Sequence, residues 1–189
     1  MNILVACECY GEVRDSFLKL GHDAISCDIK PTKVPGPHYQ GDVRDILYQD
    51  WDMIIAFPPC THLAVSGAKH FKEKIKDGRQ QEGIDFFMLF TNHPCHKVVI
   101  ENPIGIMSSK WRKPDQIIQP YQFGDPYTKS TCLWLKGVKP LKPTNIVSPG
   151  KMQFSGTTTR IPEWYSNKQM PRDKTFHGIA WAMATQWGI

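Results

Sequence analysis

The sequence predicts an α/β domain built on a doubly wound, mostly parallel sheet, with a β-hairpin toward its C-terminal side. Three observations carry this. Short apolar runs at residues 3–7, 51–57 and 97–101 read as strands buried on both faces. Segments between them, at 13–20 and 80–92, repeat their apolar residues at helical spacing. Strand–helix alternation of this kind implies right-handed crossovers and helices on both sides of a parallel sheet.

In chain order, 3–7 is the first strand, and 13–20 is a helix through Val13, Phe17, Leu18 and Leu20 that Gly21 stops. Residues 24–29 form a second strand ending near Asp28, and 30–40, with three prolines and a glycine, read as a loop. The strand at 51–57 is closed by Pro58-Pro59, and a charged stretch at 69–79 reads either as a phosphate-contacting segment or as a solvated face. After the helix at 80–92 comes the strand 97–101, closed by Asn102-Pro103. Residues 119–123 and 130–136, joined through Gly124-Asp125-Pro126, predict the hairpin. Residues 137–174 read as a loop-rich insertion within a single domain spanning 1–189, and 178–187 as an apolar helix packed on the sheet.

Composition narrows the function classes. The chain has 189 residues, 41% hydrophobic and 22% charged, with a mean hydropathy of −0.38. No apolar run approaches the roughly 20 residues that cross a bilayer, so no membrane partner is expected. The first residues lack a basic, apolar leader and begin a strand instead, which predicts a cytoplasmic protein with its six cysteines reduced. His93-Pro94-Cys95-His96 is spaced as a turn rather than a metal site, and no metal is expected. A net charge of +5 permits contact with nucleic acid without requiring it.

In doubly wound sheets ligands sit beyond the carboxyl ends of the strands. Residues 7–10, Asp28, 57–60 and 101–103 all follow predicted strands, so they converge on one edge. A cysteine in such a place is most often a small buried hydrophobe. Here Cys60 follows Pro58-Pro59, and Glu101-Asn102-Pro103 closes the next strand, which gives it a different meaning.

At these residues the chain resembles the DNA (cytosine-5) methyltransferases, in a compact form. In that family a cysteine follows a Pro-Pro pair at one strand end and a Glu-Asn pair ends the next. The match runs through residues 52–60, with Thr61 where glutamine is usual. Residues 41–46 resemble the Gly-Asp-Ile turn at the cofactor adenine. Residues 121–135 resemble the Tyr-Gly-Val-Pro-Gln-x-Arg-x-Arg segment, with Lys129 at the first arginine and Tyr127 and Thr131 replacing the glutamine and second arginine. Residues 176–180 resemble the segment that closes the cofactor site.

The resemblance implies a Rossmann-like class I methyltransferase fold and S-adenosyl-L-methionine as cofactor. It implies that Cys7, Glu8, Cys9, Tyr10 and Gly11 of the first turn line the cofactor site, with Asp28, Ile29, Asp42, Val43, Phe57, Pro58, His177 and Gly178. Cytosine C5 is a poor nucleophile. A thiolate adding to C6 activates it, and a carboxyl group at N3 stabilises the developing charge. Cys60 and Glu101 suit these two roles. A base then removes the C5 proton; Lys129 is placed to support that base or Cys60, and Asn102 to hold the Pro58-Pro59 turn.

Two departures bear on function. The first turn has a single glycine where the family is glycine-rich, so Glu8 and two cysteines alter the pocket. Family members also carry a recognition domain where this chain has only 137–174, with Arg160, Trp164, Tyr165, Lys168 and Arg172 as candidate DNA contacts. Three readings follow: methyl transfer to C5 of cytosine in DNA, the same chemistry on a cytosine nucleotide or single strand, or a silent methyltransferase-like protein that binds DNA or a partner. The compact size suits a phage or mobile element.

Overall fold

The computed structural model describes residues 1–149, 171 and 173–189, and the backbone of 152–155 and 159–162. The strands are β1 (Asn2–Ala6), β2 (Asp23–Asp28), β3 (His38–Gln40), β4 (Met53–Ala56), β5 (Lys97–Pro103), β6 (Gln116–Ile118) and β7 (Thr131–Lys136). They form one sheet in the order β3-β2-β1-β4-β5-β7-β6. Only β7 runs antiparallel to its neighbours β5 and β6. This is the class I, Rossmann-like methyltransferase topology that the resemblance implied.

Side-chain alternation along the strands explains the layers. Ile3, Val5, Met53, Ile55 and Val99 point to one face, where helix α1 (Glu12–Lys19) and the C-terminal helix pack with Phe17, Ala180 and Met183. Leu4, Ala6, Ile54, Ala56, Val98 and Ile100 point to the other, under Phe87 and Phe90 of helix α3 (Arg79–Thr91). Both faces are therefore buried, which is why these strands read as continuous apolar runs. Two short helices, α2 (Phe71–Lys76) and α4 (Met107–Lys110), follow β4 and β5, and α5 (His177–Trp187) closes the chain. Among the described residues no helix is long and apolar enough to cross a membrane.

Three sequence expectations change. The loop at 30–40 ends in β3, an edge strand too short and polar to show a pattern. A fully buried arginine organises that loop. Arg14 pairs with Asp15 at 2.7 Å and donates to Ser26 Oγ (3.2 Å), Pro35 O (3.0 Å) and Pro37 O (3.4 Å). The expected strand at 119–123 is a 3₁₀ turn (Pro120–Gln122), closed where Gln119 N donates to Gln122 Oε1 at 2.8 Å, so the hairpin's first arm lies earlier, at β6. Within the expected loop-rich insertion, β8 (Met152–Ser155) pairs antiparallel with β9 (Thr159–Pro162). The side chain of Arg160, with Trp164, Tyr165, Lys168 and Arg172, lies outside the described residues.

Candidate active site

The chain turns from β1–β3 on one side of the sheet to β4–β5 on the other, so the crevice between β1 and β4 is the switch point at which such sheets bind ligands. Cys60 sits on that edge, half-buried, three residues after Phe57, whose amide still donates to Ala6 O at 2.9 Å. Its carbonyl accepts from the amides of both Leu63 (3.0 Å) and Ala64 (2.9 Å), which closes a tight turn directly after the thiol.

That turn is strapped to the end of β5. Val65 N donates to Ile104 O (3.1 Å) and Ile106 N to Leu63 O (2.9 Å), with Ala64 and Gly105 bridged between them. A Cβ on residue 105 would lie 2.5 Å from Leu63 O, so the approach needs glycine there. Asn102, buried, donates through Nδ2 to Pro58 O at 2.7 Å and fixes the Pro-Pro turn from the other side. The Cys60 loop and the Glu101-Asn102-Pro103 loop thus form one backbone unit.

Glu101 lies at the same edge, opposite Leu133 of β7. Burial raises the pKa of its carboxyl, and the Lys129 ammonium partly offsets this, so Glu101 is inclined to keep a proton. Burial, with Glu101 adding to it, also pushes the thiol of Cys132, the partner of Asn102 on β7, up to about 11. The Lys129 ammonium lies over the Phe176 ring, 5.8 Å from its centroid. Gln119 was not foreseen from sequence, yet it sets this segment: Oε1 accepts from Lys129 N and Nε2 donates to Ser130 Oγ, each at 2.8 Å. Its one sequence signal was its place before Pro120.

The residues expected to line a cofactor site lie at or follow the ends of β1, β2, β3 and β4, apart from His177 and Gly178 at the start of α5, and they differ in role. Cys7 has φ 62°, the left-handed conformation where a glycine is usual, and this turns the backbone sharply after β1. Its thiol is pushed well above the usual range by burial and by Asp28. Glu8 requires a correction. Its carboxylate turns inward beneath α1 and accepts from Val13 N (2.8 Å) and Arg14 N (3.3 Å), capping the helix. It therefore reaches the site through backbone only, and burial raises its pKa to about 7.

Cys9 is buried and anchors the 30–40 loop through its carbonyl, which accepts from Lys33 N at 2.7 Å. Burial raises the pKa of Tyr10, and Asp173 beside it adds to this. Gly11 (φ 73°) starts α1. Asp28 accepts from Lys30 N (2.9 Å), and Ile29 beside it is 75% exposed. Asp42 caps the 3₁₀ turn at buried Val43, and its carboxyl is held low chiefly by the Arg44 amide. Phe57 is half-buried and Pro58 buried. His177 faces Glu12 (3.4 Å), and Gly178 N donates to Asp125 Oδ2 (3.0 Å), which fastens α5 to the loop before β7. His93 folds onto its own turn, Nδ1 accepting from Cys95 N at 3.1 Å.

These residues fit an adenosine-bearing cofactor. An exposed isoleucine directly after an acidic strand end is an apolar surface that an adenine plane would cover. Cys7, in the left-handed conformation, packs its short side chain against the core that holds Leu4, Ala6, Ile54 and Ala56.

No family model matches this chain, and no curated protein does. Among solved structures, it is similar to an E. coli protein described as a "putative DNA modification methyltransferase encoded within prophage", with a TM-score of 0.54 and 17% sequence identity. The match covers 92% of this chain and 66% of that one, just under two thirds of its length. The likeness is one of fold.

Proposed function

We propose that this chain is an S-adenosyl-L-methionine-dependent methyltransferase that methylates C5 of cytosine in DNA through a covalent Cys60 adduct. The observation that carries the reading is the strap between the two strand ends. It holds a half-buried thiol and a carboxyl whose pKa burial raises at adjacent positions of one edge.

The cytosine-5 assignment rests on what these side chains would do. The Cys60 thiolate forms a bond to C6 of the ring. Glu101 holds or donates a proton at N3, where the negative charge builds, and Lys129 sets how tightly that proton is kept. The bound cofactor supplies an electrophilic methyl group, which the activated C5 takes. Loss of the C5 proton and cleavage of the C6–sulfur bond then return Cys60 as thiolate. Asn102 and Gly105 keep the two loops in register and touch no substrate. The turn at residues 7–11, Asp28, Ile29, Asp42, Val43, Phe57, Pro58, His177 and Gly178 would hold the cofactor.

A second reading keeps this chemistry on a cytosine nucleotide or single strand. What favours it is the short stretch of residues 137–176 between β7 and α5, together with the match to only 66% of the similar structure's length. Methyl transfer from labelled cofactor to duplex DNA, single-stranded DNA and deoxycytidine nucleotides, with Cys60→Ser as control, separates the two. Duplex labelling that Cys60→Ser abolishes is expected, along with a stable adduct to 5-fluorocytosine DNA. Labelling of nucleotides alone would move the substrate to the second reading, and labelling that survives in Cys60→Ser would remove the covalent mechanism.

A further inference from the structure

Helix α2 buries its lysine and exposes its isoleucine. Lys74 is 7% exposed, whereas Ile75 on the same short helix is 63% exposed. This inverts the usual order, since an ammonium taken out of water costs several kcal/mol unless it is paired. Among the described residues Lys74 forms no ion pair, because Glu73 and Asp77 are both engaged by Arg79. Its one hydrogen bond among the described residues is short: Nζ donates to Thr61 O at 2.6 Å.

Thr61 directly follows Cys60, so this ammonium is buried inside the turn that presents the thiol. We propose that Lys74 is a positioning residue for Cys60: it fixes the turn through Thr61 O and lends positive charge that favours the thiolate. The inference rests on reading Cys60 as the nucleophile. The other charged or titratable groups on the elements around the turn are His62, Glu73, Asp77 and Arg79 with the exposed Lys69, His70, Lys72 and Lys76 on one side, and Glu101, Lys129 and Cys132 at the ends of β5 and β7. Lys74 differs from Arg79 in being buried with no carboxylate beside it among the described residues. A buried charge of this kind acts strongly on a nearby ionisation because little solvent screens it.

The test is the pH profile of Cys60 alkylation by iodoacetamide in the full chain, followed by peptide mass spectrometry. It needs neither cofactor nor DNA. Lys74→Met is expected to raise the midpoint by about one pH unit and slow alkylation at pH 7 about tenfold. Lys74→Gln, which keeps a donor but no charge, should behave like Lys74→Met, and Lys74→Arg should restore most of the rate. Lys74→Met removes the donor to Thr61 O together with the buried charge, so each variant's melting is measured beside its profile and Lys74→Gln keeps the test readable if Lys74→Met is destabilised. An unchanged profile in Lys74→Met and Lys74→Gln, beside a parent thiol that is activated, overturns the role of Lys74 alone. A parent thiol that titrates as an ordinary cysteine overturns both this inference and the nucleophile reading.

Discussion

Gly105→Ala tests whether the strap between the two loops is what assembles the site. Gly105 is not among the glycines with positive φ, so alanine suits its backbone and the perturbation is purely one of contact. The new Cβ would sit 2.5 Å from Leu63 O and 3.3 Å from Ala64 Cα. Backbone atoms cannot rotate away as a side chain would, so the 63–65 and 104–106 segments must separate. Two hydrogen bonds cross between them, Val65 N to Ile104 O and Ile106 N to Leu63 O. Each is worth about 1 kcal/mol, and overpacking adds about 1 more, for a loss near 3 kcal/mol. In a chain of this size that lowers the melting temperature by roughly 6–12 °C. Adduct formation with 5-fluorocytosine DNA should fall by more than cofactor affinity does, because the β1–β2 end of the sheet is untouched. The assays are urea unfolding, calorimetric cofactor binding and adduct trapping. A Gly105→Ala protein within 0.5 kcal/mol of the parent, with trapping intact, would refute the claim that close backbone approach fixes Cys60 against Glu101.

Two further substitutions probe the cofactor end. Arg14→Met strips the guanidinium from Pro35 O, Pro37 O and Ser26 Oγ; the loss should be about 3 kcal/mol by urea unfolding, with faster proteolysis at 30–37, since unsatisfied buried acceptors are costly. Parent-like stability would mean that β3 pairing alone holds the loop. Glu8 is buried with its pKa raised from the ordinary 4.5 to about 7, so the folded state holds its proton longer than the unfolded chain does. Its contribution to stability is therefore full below pH 4.5 and is lost as pH rises to about 7, amounting to about 3 kcal/mol. Glu8→Gln should flatten the difference in unfolding free energy between pH 5 and pH 8 by about that amount, and an unaltered pH slope would assign it to other groups.

The parts legible in the sequence were those whose signal is local. β4 and β5 are apolar because helices cover both faces, so their ends, and with them Cys60 and Glu101, could be placed from pattern alone. What was not legible depends on partners distant in the chain. Arg14, one residue before Asp15, reads as half of a surface pair. It is buried because Gly11 and Gly36 leave the guanidinium its space, a Cβ on either coming within 2.5 Å of it. Glu8 reads as a pocket residue until the start of α1 is seen folding over it. Gln119 and Gly105 carry no chemistry of their own, and only the crossing of separate loops gives them a function. Lys74 sits among lysines that look alike in the sequence, and burial alone singles it out.

The same burial changes what the charged stretch at 69–79 offers a polyanion. Arg79 is taken by Glu73 and Asp77, and Lys74 is turned inward, which leaves Lys69, Lys72 and Lys76 as its exposed lysines. Each phosphate contact contributes about 0.9 to the slope of log binding constant against log salt on duplex DNA, so this face accounts for a slope of about 2.7 at most. That is modest beside proteins that anchor many phosphates. Replacing the three lysines with alanine should flatten the measured salt slope by two to three, while leaving alkylation of Cys60 unchanged, because none of the three bonds the 60–64 turn. An unaltered slope would mean that the duplex lies elsewhere on the molecule, and that the side of the edge beyond Cys60 meets solvent rather than the phosphate backbone.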